Sequence, residues 1–294
     1  GFTSNLTNIG KLQNKGLEIS LTSVNIKGPF EWSTNFNISG NRNKILSLGN
    51  NDAPFNLNDF DANVRFEVGK PMAYFYGYQI DGVIMNSAEL NAYPVWTGST
   101  AGDPKVADVN QDGKINEDDR TMIGSAQPDF IWSMTNNFNY KGFDLSVMLS
   151  GSEGNEIFNQ NARYLKRYNG ARGVYKSVAN YWKSETEPGD GQIPKPRSVA
   201  NSVQNLATSY WVEDGSFVRI KNIRLGYTLP KKATQKLGLS ATKLYVNFEN
   251  VYLFSDYSNY DPEASTYTTG ALVGLDFGSY PNPLVCTIGV NLSF

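Results

Sequence analysis

The residues best equipped for chemistry lie in one loop: Asp108-Val109-Asn110-Gln111-Asp112-Gly113-Lys114-Ile115-Asn116-Glu117-Asp118-Asp119. Side-chain oxygens recur at alternate positions from Asp108 to Asp112, and Gly113 follows where a short loop must turn sharply. A hard divalent cation collects about six to eight oxygens from such a loop. The spacing predicts a structural Ca²⁺ site, with Mg²⁺ as the alternative. Asp108, Asn110 and Asp112 would supply side-chain oxygens, Lys114 its carbonyl, and Asn116 an oxygen directly or through water. Asp119 takes the twelfth position, where Glu is usual, and its shorter side chain reaches with one oxygen. Gly102 and Pro104 interrupt any helix before Asp108, so this is not half of a helix–loop–helix pair. The competing reading is a solvated acidic loop held by Asx turns.

Other chemistries are thinner. The chain has 294 residues and no His, which removes His-dependent triads, His-ligated zinc and imidazole proton shuttles. A single cysteine, Cys286, excludes an internal disulfide and a Cys-cluster metal site. Acidic pairs such as Glu185/Glu187 and Asp118/Asp119 lie in loops, and nothing sets two carboxylates across a cleft as a hydrolase needs. No enzyme is expected. Net charge is -2, and no basic stripe points to nucleic acid.

The elements that must position the loop are strands. Aromatics make up 13% of the chain, with Gly, Asn and Ser frequent, which favours β-structure with long loops. Leu17, Ile19 and Leu21 alternate with Glu18, Ser20 and Thr22, the period of a sheet with two unlike faces. Asn14–Ile26 is therefore the first expected strand, and Phe30 to about Leu48 the second. Phe130–Tyr140, a strand from Phe143 through Leu149, Phe217–Thr228, Lys243–Phe254 and Val285–Phe294 follow. Helices are expected near Ser87–Asn91, over Asn155–Tyr168 and Val174–Trp182, and as one short piece in Lys231–Leu239.

The connections alternate in length. Lys27–Pro29 and Tyr140–Phe143 are tight and Leu229–Thr242 is moderate. Gly49–Asp129, Ser152–Ser216 and Ser255–Leu284 are long. In an antiparallel meander this sets every long insert at one end, the asymmetry of outer-membrane barrels. No run of about 18 apolar residues exists, which leaves a barrel untouched because its strands alternate. The last strand sets Cys286, Ile288, Val290, Leu292 and Phe294 against Thr287, Gly289, Asn291 and Ser293. About seven strands cannot close a barrel, and open edges in lipid cost several kcal/mol for each unpaired backbone group. The chain, which opens without Met or a signal peptide, is thus expected to be the C-terminal segment, residues 1–294, of a longer protein. The competing fold is a secreted, calcium-braced β-sandwich that binds glycans.

At this point the sequence resembles the SusC/RagA family of TonB-dependent outer-membrane transporters. The resemblance rests on an ordered set spanning the chain. It includes Asn14-Lys15-Gly16-Leu17-Glu18, Gly102-Asp103-Pro104-Lys105 through Asn116, and Ile123-Gly124 with Pro128. Tyr140-Lys141-Gly142-Phe143-Asp144-Leu145, Ser216 through Asn222 and Leu225-Gly226-Tyr227-Thr228-Leu229-Pro230 continue it. Glu249-Asn250, Tyr260-Asp261-Pro262-Glu263 and the ending Gly289 through Phe294 complete it. Single motifs are weak; their order is specific. The resemblance implies an all-β, antiparallel transmembrane barrel of about 22 strands, plugged by an N-terminal domain absent here along with the early strands. It implies TonB-dependent import of an oligosaccharide or peptide, a SusD-type surface lipoprotein as partner, contact with the TonB complex through the missing N-terminal region, and an outer-membrane location. Within that expectation Tyr74, Tyr76, Tyr78, Trp96, Tyr164, Tyr168, Tyr210 and Trp211 are candidates for substrate or partner contact, against packing within the loops. Aromatics on the strands belong to interfacial girdles in lipid.

Overall fold

In the computed structural model the described residues are 10–49, 51–59, 62–166, 173–197, 203–235, 238–263, 265–267 and 270–294. Seven long strands form one sheet: β1 (Lys11–Ile26), β2 (Phe30–Ser47), β3 (Phe130–Tyr140), β4 (Phe143–Glu153), β5 (Phe217–Thr228), β6 (Ala241–Phe254) and β7 (Val285–Ser293). Each pairs antiparallel with its neighbours in the chain, so the sheet is a pure meander. Its tight reversal at Lys141–Gly142 needs left-handed backbone at both residues, with φ of 47° and 86°. That is the turn whose twist matches the flanking strands. A Cβ on Gly142 would also sit 2.9 Å from the Thr228 carbonyl oxygen.

Register keeps the two faces distinct across all seven strands. Ile19 faces Ile38, which faces Trp132; Leu21 faces Phe36, which faces Met134. The same face continues through Leu145, Leu225, Val246 and Ile288. These side chains point into open space: Leu17 is 69% exposed and Ile288 82%. The opposite face is polar and hydrogen-bonded across strands. Ser20 donates to Asn37 at 2.7 Å, Thr22 to Asn35 at 3.0 Å, and Asn222 to Asn247 at 2.9 Å. Lys243 pairs with Asp144 at 2.8 Å, and the Arg224 guanidinium lies 4.5 Å from the Tyr245 ring. A one-residue slip would exchange these faces, so their contrast fixes the register.

Aromatic rings edge the apolar face at both ends. Near the turns, Phe30, Phe138 and Trp32 stack, and Phe143 meets Tyr227 at 4.4 Å between centroids. Toward the far end, Tyr252 meets Phe254 at 4.7 Å. A polar row crosses the apolar face above Trp32. Asn136 Oδ1 accepts from Trp32 Nε1 and Thr34, while Asn25 donates to Thr34 and accepts from Ser23. The row satisfies itself, which makes it tolerable on an apolar surface.

The three long inserts rise from one end of the meander and fold on one another. The first builds a four-stranded sheet from Phe55–Asp59, Ala62–Phe66, Tyr74–Tyr78 and Arg120–Ser125, plus a ribbon of Ile80–Val83 with Pro104–Val106. In a third small sheet Glu156–Asn159 lies between Val212–Asp214 and Leu275–Asp276, joining the second and third inserts. Val64, Phe75, Ile123, Phe158, Ala162, Ala207, Trp211 and Leu275 bury one core drawn from all three.

The long strands match the sequence reading to within a few residues. The helix near Ser87 is present as Ser87–Ala92, capped by Asn86, whose side chain accepts from the Glu89 N–H. The expected helix over Asn155–Tyr168 is corrected: its first part is the strand Glu156–Asn159, and of the described residues in that range only Gln160–Lys166 is helical. Ile157 and Phe158 are both buried, which a pairing strand between two neighbours achieves and a surface helix does not. Val174–Trp182 holds a single 3₁₀ turn, Lys176–Asn180, and the described residues of Lys231–Leu239 hold one short turn of α-helix, Lys231–Thr234. No described helix is long and apolar enough to cross a membrane.

Candidate functional site

The Asp108–Asp119 loop is shaped by its own side chains. Asp108 Oδ2 accepts from the Gly113 N–H at 2.9 Å, Asn110 from Asp112 at 3.0 Å, and Asp112 from Lys114 at 2.9 Å. Gln111 and Gly113 take left-handed φ, 60° and 80°. A Cβ on Gly113 would meet nothing within 4 Å, so conformation rather than space favours glycine there. Asp119 is fully buried and closes the loop at both ends. Its Oδ1 accepts from Val109 at 3.0 Å and its Oδ2 from Asn116 at 2.8 Å. Asn116 returns a bond by accepting from Asp118 at 2.7 Å, giving a reciprocal cap on the short turn Glu117–Asp119. Below the loop, Ile115 packs with Tyr78, Val106 and Val203, and Arg120 donates to the Tyr78 hydroxyl at 3.0 Å.

These residues fit a hard cation in donor type. Asp108 Oδ1 is buried without a hydrogen-bond partner, and it belongs to the side chain expected to hold the ion first. Among the described residues no three His, Cys, Asp or Glu side chains gather closely enough to hold a metal by themselves. The donor set would therefore be mixed, with amide and backbone carbonyl oxygens beside the carboxylates. Asp119 differs from a free twelfth ligand, because both of its oxygens already receive backbone N–H groups.

The aromatic candidates divide by burial. Tyr74 and Tyr78 are 2% exposed and Trp211 3%, so their rings are spent on packing within the inserts. Tyr74 also donates to Glu67 at 2.7 Å. Burial, then this bond, pushes the Tyr74 hydroxyl above its ordinary range, while the Tyr74 hydroxyl holds Glu67 below its own. Tyr76, Trp96, Tyr164 and Tyr210 keep part of their surface. One face of Tyr76 carries Arg65 at 4.2 Å, Trp96 meets Tyr78 edge-on, and Tyr164 meets Phe277. Burial raises the Tyr210 hydroxyl to about 12, so it stays a donor at neutral pH. Tyr168 lies outside the described residues.

Two polar clasps were missed by sequence reasoning. Asp103, 1% exposed, accepts from Arg197 at 2.5 Å and from the Thr100 N–H, tying the first insert to the second. Lys195 bridges beside them to Thr100 and the Ala101 carbonyl, and burial lowers its pKa. On the sheet, Arg219 of β5 pairs with Asp261 of the third insert at 2.5 Å, both 2% exposed. Asp103, Arg219 and Asp261 each lie in a motif of the family resemblance, but nothing in the sequence pairs them.

Over its full length the chain is 35% identical to TonB-dependent receptor P3 and 34% identical to TonB-dependent receptor P26, both of Formosa agariphila. It is 26% identical to TonB-dependent receptor SusC of Bacteroides thetaiotaomicron. A solved structure of the RagAB peptide transporter superposes on 97% of the chain with a TM-score of 0.77 at 19% identity. The chain belongs to the SusC/RagA family of TonB-dependent transporters. It spans 28% to 30% of those receptors' length and covers 29% of the RagAB chain. No protein-family model matches it. Its sheet is accordingly a portion of a transmembrane barrel of that family.

Proposed function

We propose that the chain is the C-terminal part of a barrel that imports an oligomeric nutrient, a glycan or a peptide, across the outer membrane of a Gram-negative bacterium. Energy would reach it from the TonB complex through a plug domain outside this chain, and a SusD-type lipoprotein would cap its inserts. The observation that carries this is the meander itself. One face is apolar and open across seven strands, the other is polar, and all three long inserts stand at one end. A β-sandwich would bury such a face under a second sheet, and among the described residues nothing covers it. SusC/RagA relatives named as receptors and transporters support transport over catalysis.

Within that reading the Asp108–Asp119 loop is a Ca²⁺ brace, with Mg²⁺ the alternative. It stiffens an extracellular loop where a partner or nutrient arrives. Of the aromatic candidates, Tyr76, Trp96, Tyr164 and Tyr210 retain the surface such contacts need. The test is to copurify the intact complex from outer membranes and identify its partner and bound oligomer by mass spectrometry. A SusD-type lipoprotein with a bound glycan or peptide is expected. A water-soluble protein with neither would overturn the proposal.

A further inference from the structure

The outward face of β1 and β2 changes character abruptly toward the inserts. From Phe30 to Gly40 on β2 the outward positions are Phe30, Trp32, Thr34, Phe36, Ile38 and Gly40, matched on β1 by Leu21, Ile19 and Leu17. Ten residues at about 3.3 Å each, tilted by about 40°, span roughly 25 Å along the membrane normal, the height of a barrel's apolar band. The next outward positions are Lys15, directly opposite Arg42, and Lys44, opposite Gln13. Lys15, Arg42 and Lys44 are all exposed. Lys70 joins them, because its carbonyl accepts from the Ile45 N–H and Lys44 ends beside Gly69.

Like charges directly across a strand pair repel. Arg42 is taken up by the Asp129 carboxylate at 2.5 Å and by the Pro128 and Asp129 carbonyls at 3.3 Å each, which leaves the lysines uncompensated, and Glu67 near Lys70 is already held by Arg65 and Tyr74. On β5 and β6 the outward face ends instead in Val218, Tyr252 and Phe254. The cations are therefore local, unbalanced, and placed where the apolar band gives way to headgroups. Resting on the outer-membrane placement above, we propose that Lys15 and Lys44, on either side of Arg42, bind a phosphorylated lipid headgroup of the outer leaflet. Point-charge lysines suit phosphate oxygens, and a headgroup anchored in the adjoining leaflet arrives at the right height without a pocket.

The test uses the full-length transporter from outer membranes, with fractionation recorded first so that failed membrane placement and failed headgroup binding read out separately. Wild type, K15Q/K44Q and K15R/K44R are compared by binding to nanodiscs containing phosphorylated or dephosphorylated lipid A, and to inorganic phosphate. At about a kcal/mol per basic residue near a charged surface, K15Q/K44Q should bind the phosphorylated lipid roughly thirty-fold more weakly. K15R/K44R should bind as wild type does. Equal binding by wild type and K15Q/K44Q, no preference for the phosphorylated lipid, or equally tight binding of inorganic phosphate would each overturn the proposal.

Discussion

Replacing Asp261 with alanine should release the third insert while leaving the barrel wall intact. Asp261 accepts four hydrogen bonds: from Arg219 at 2.5 Å, and from the Glu263 N–H, the Asn282 N–H and the Asn282 side chain at 3.0 Å each. Among the described residues, alanine leaves the buried Arg219 charge with Glu263 as its remaining ionic contact, at 3.1 Å, and that carboxylate is 37% exposed. Breaking a buried ion pair from one side costs about 3–5 kcal/mol. Because Glu263 stays, the lower end applies, and about 3 kcal/mol raises local opening roughly 150-fold. Hydrogen exchange on the full-length protein in detergent would read this in peptides from 255–284, against β6 and β7 as internal controls. The double variant Arg219→Met/Asp261→Leu removes both charges and should recover most of the protection. Unchanged exchange in D261A, or equal loss across the strands, would refute the clasp.

Three further outcomes are expected. Chelation should leave the barrel intact but make the Asp103–Asp119 loop protease-sensitive, with Asp108→Ala giving the same cleavage without chelator; unchanged proteolysis and no metal by elemental analysis would count against the brace. Glu156 has its pKa raised, first by burial and then by Asp214, against the opposing bond from the Ser125 N–H. The fold therefore favours its protonated form, and that contribution is full at acidic pH and lost as pH rises through the raised value. Glu156→Gln should protect the 120–125 strand better than wild type at neutral pH and equally at pH 4 in limited proteolysis; a difference that grows on acidification would reverse the sign. Gly289→Val should impair assembly, because a Cβ there would fall 2.3 Å from the Tyr245 ring; heat-modifiable migration on gels would show the loss, and wild-type migration would dismiss the contact.

The barrel strands were legible because each carries its own boundary signals. Phe217–Thr228 is bracketed by Gly215-Ser216 and Leu229-Pro230, and its ends are where the alternation placed them. The insert strands were not legible, for two physical reasons. Tyr74 and Phe75 are buried side by side, so Tyr74–Tyr78 shows no alternation. Glu156–Asn159 takes its strand character from Val212–Asp214 and Leu275–Asp276, far along the chain. The spacing of Asp108, Asn110, Asp112 and Gly113 marked a sharply turning loop, but Asp119's part as the buried clasp of that loop is set by the Val109 and Asn116 N–H groups. Aromatic type alone likewise did not separate Tyr74, Tyr78 and Trp211, which pack, from Tyr76 and Tyr210, which keep surface.

In the proposed barrel one face of the meander meets lipid. Spin labels placed singly along β7 of the full-length protein in bilayers, from 286 to 292, test it by their accessibility to oxygen and to a water-soluble nickel chelate. A period of two is expected, with oxygen favoured at 286, 288, 290 and 292 and the chelate excluded there. Free access of the chelate to those even positions would contradict it.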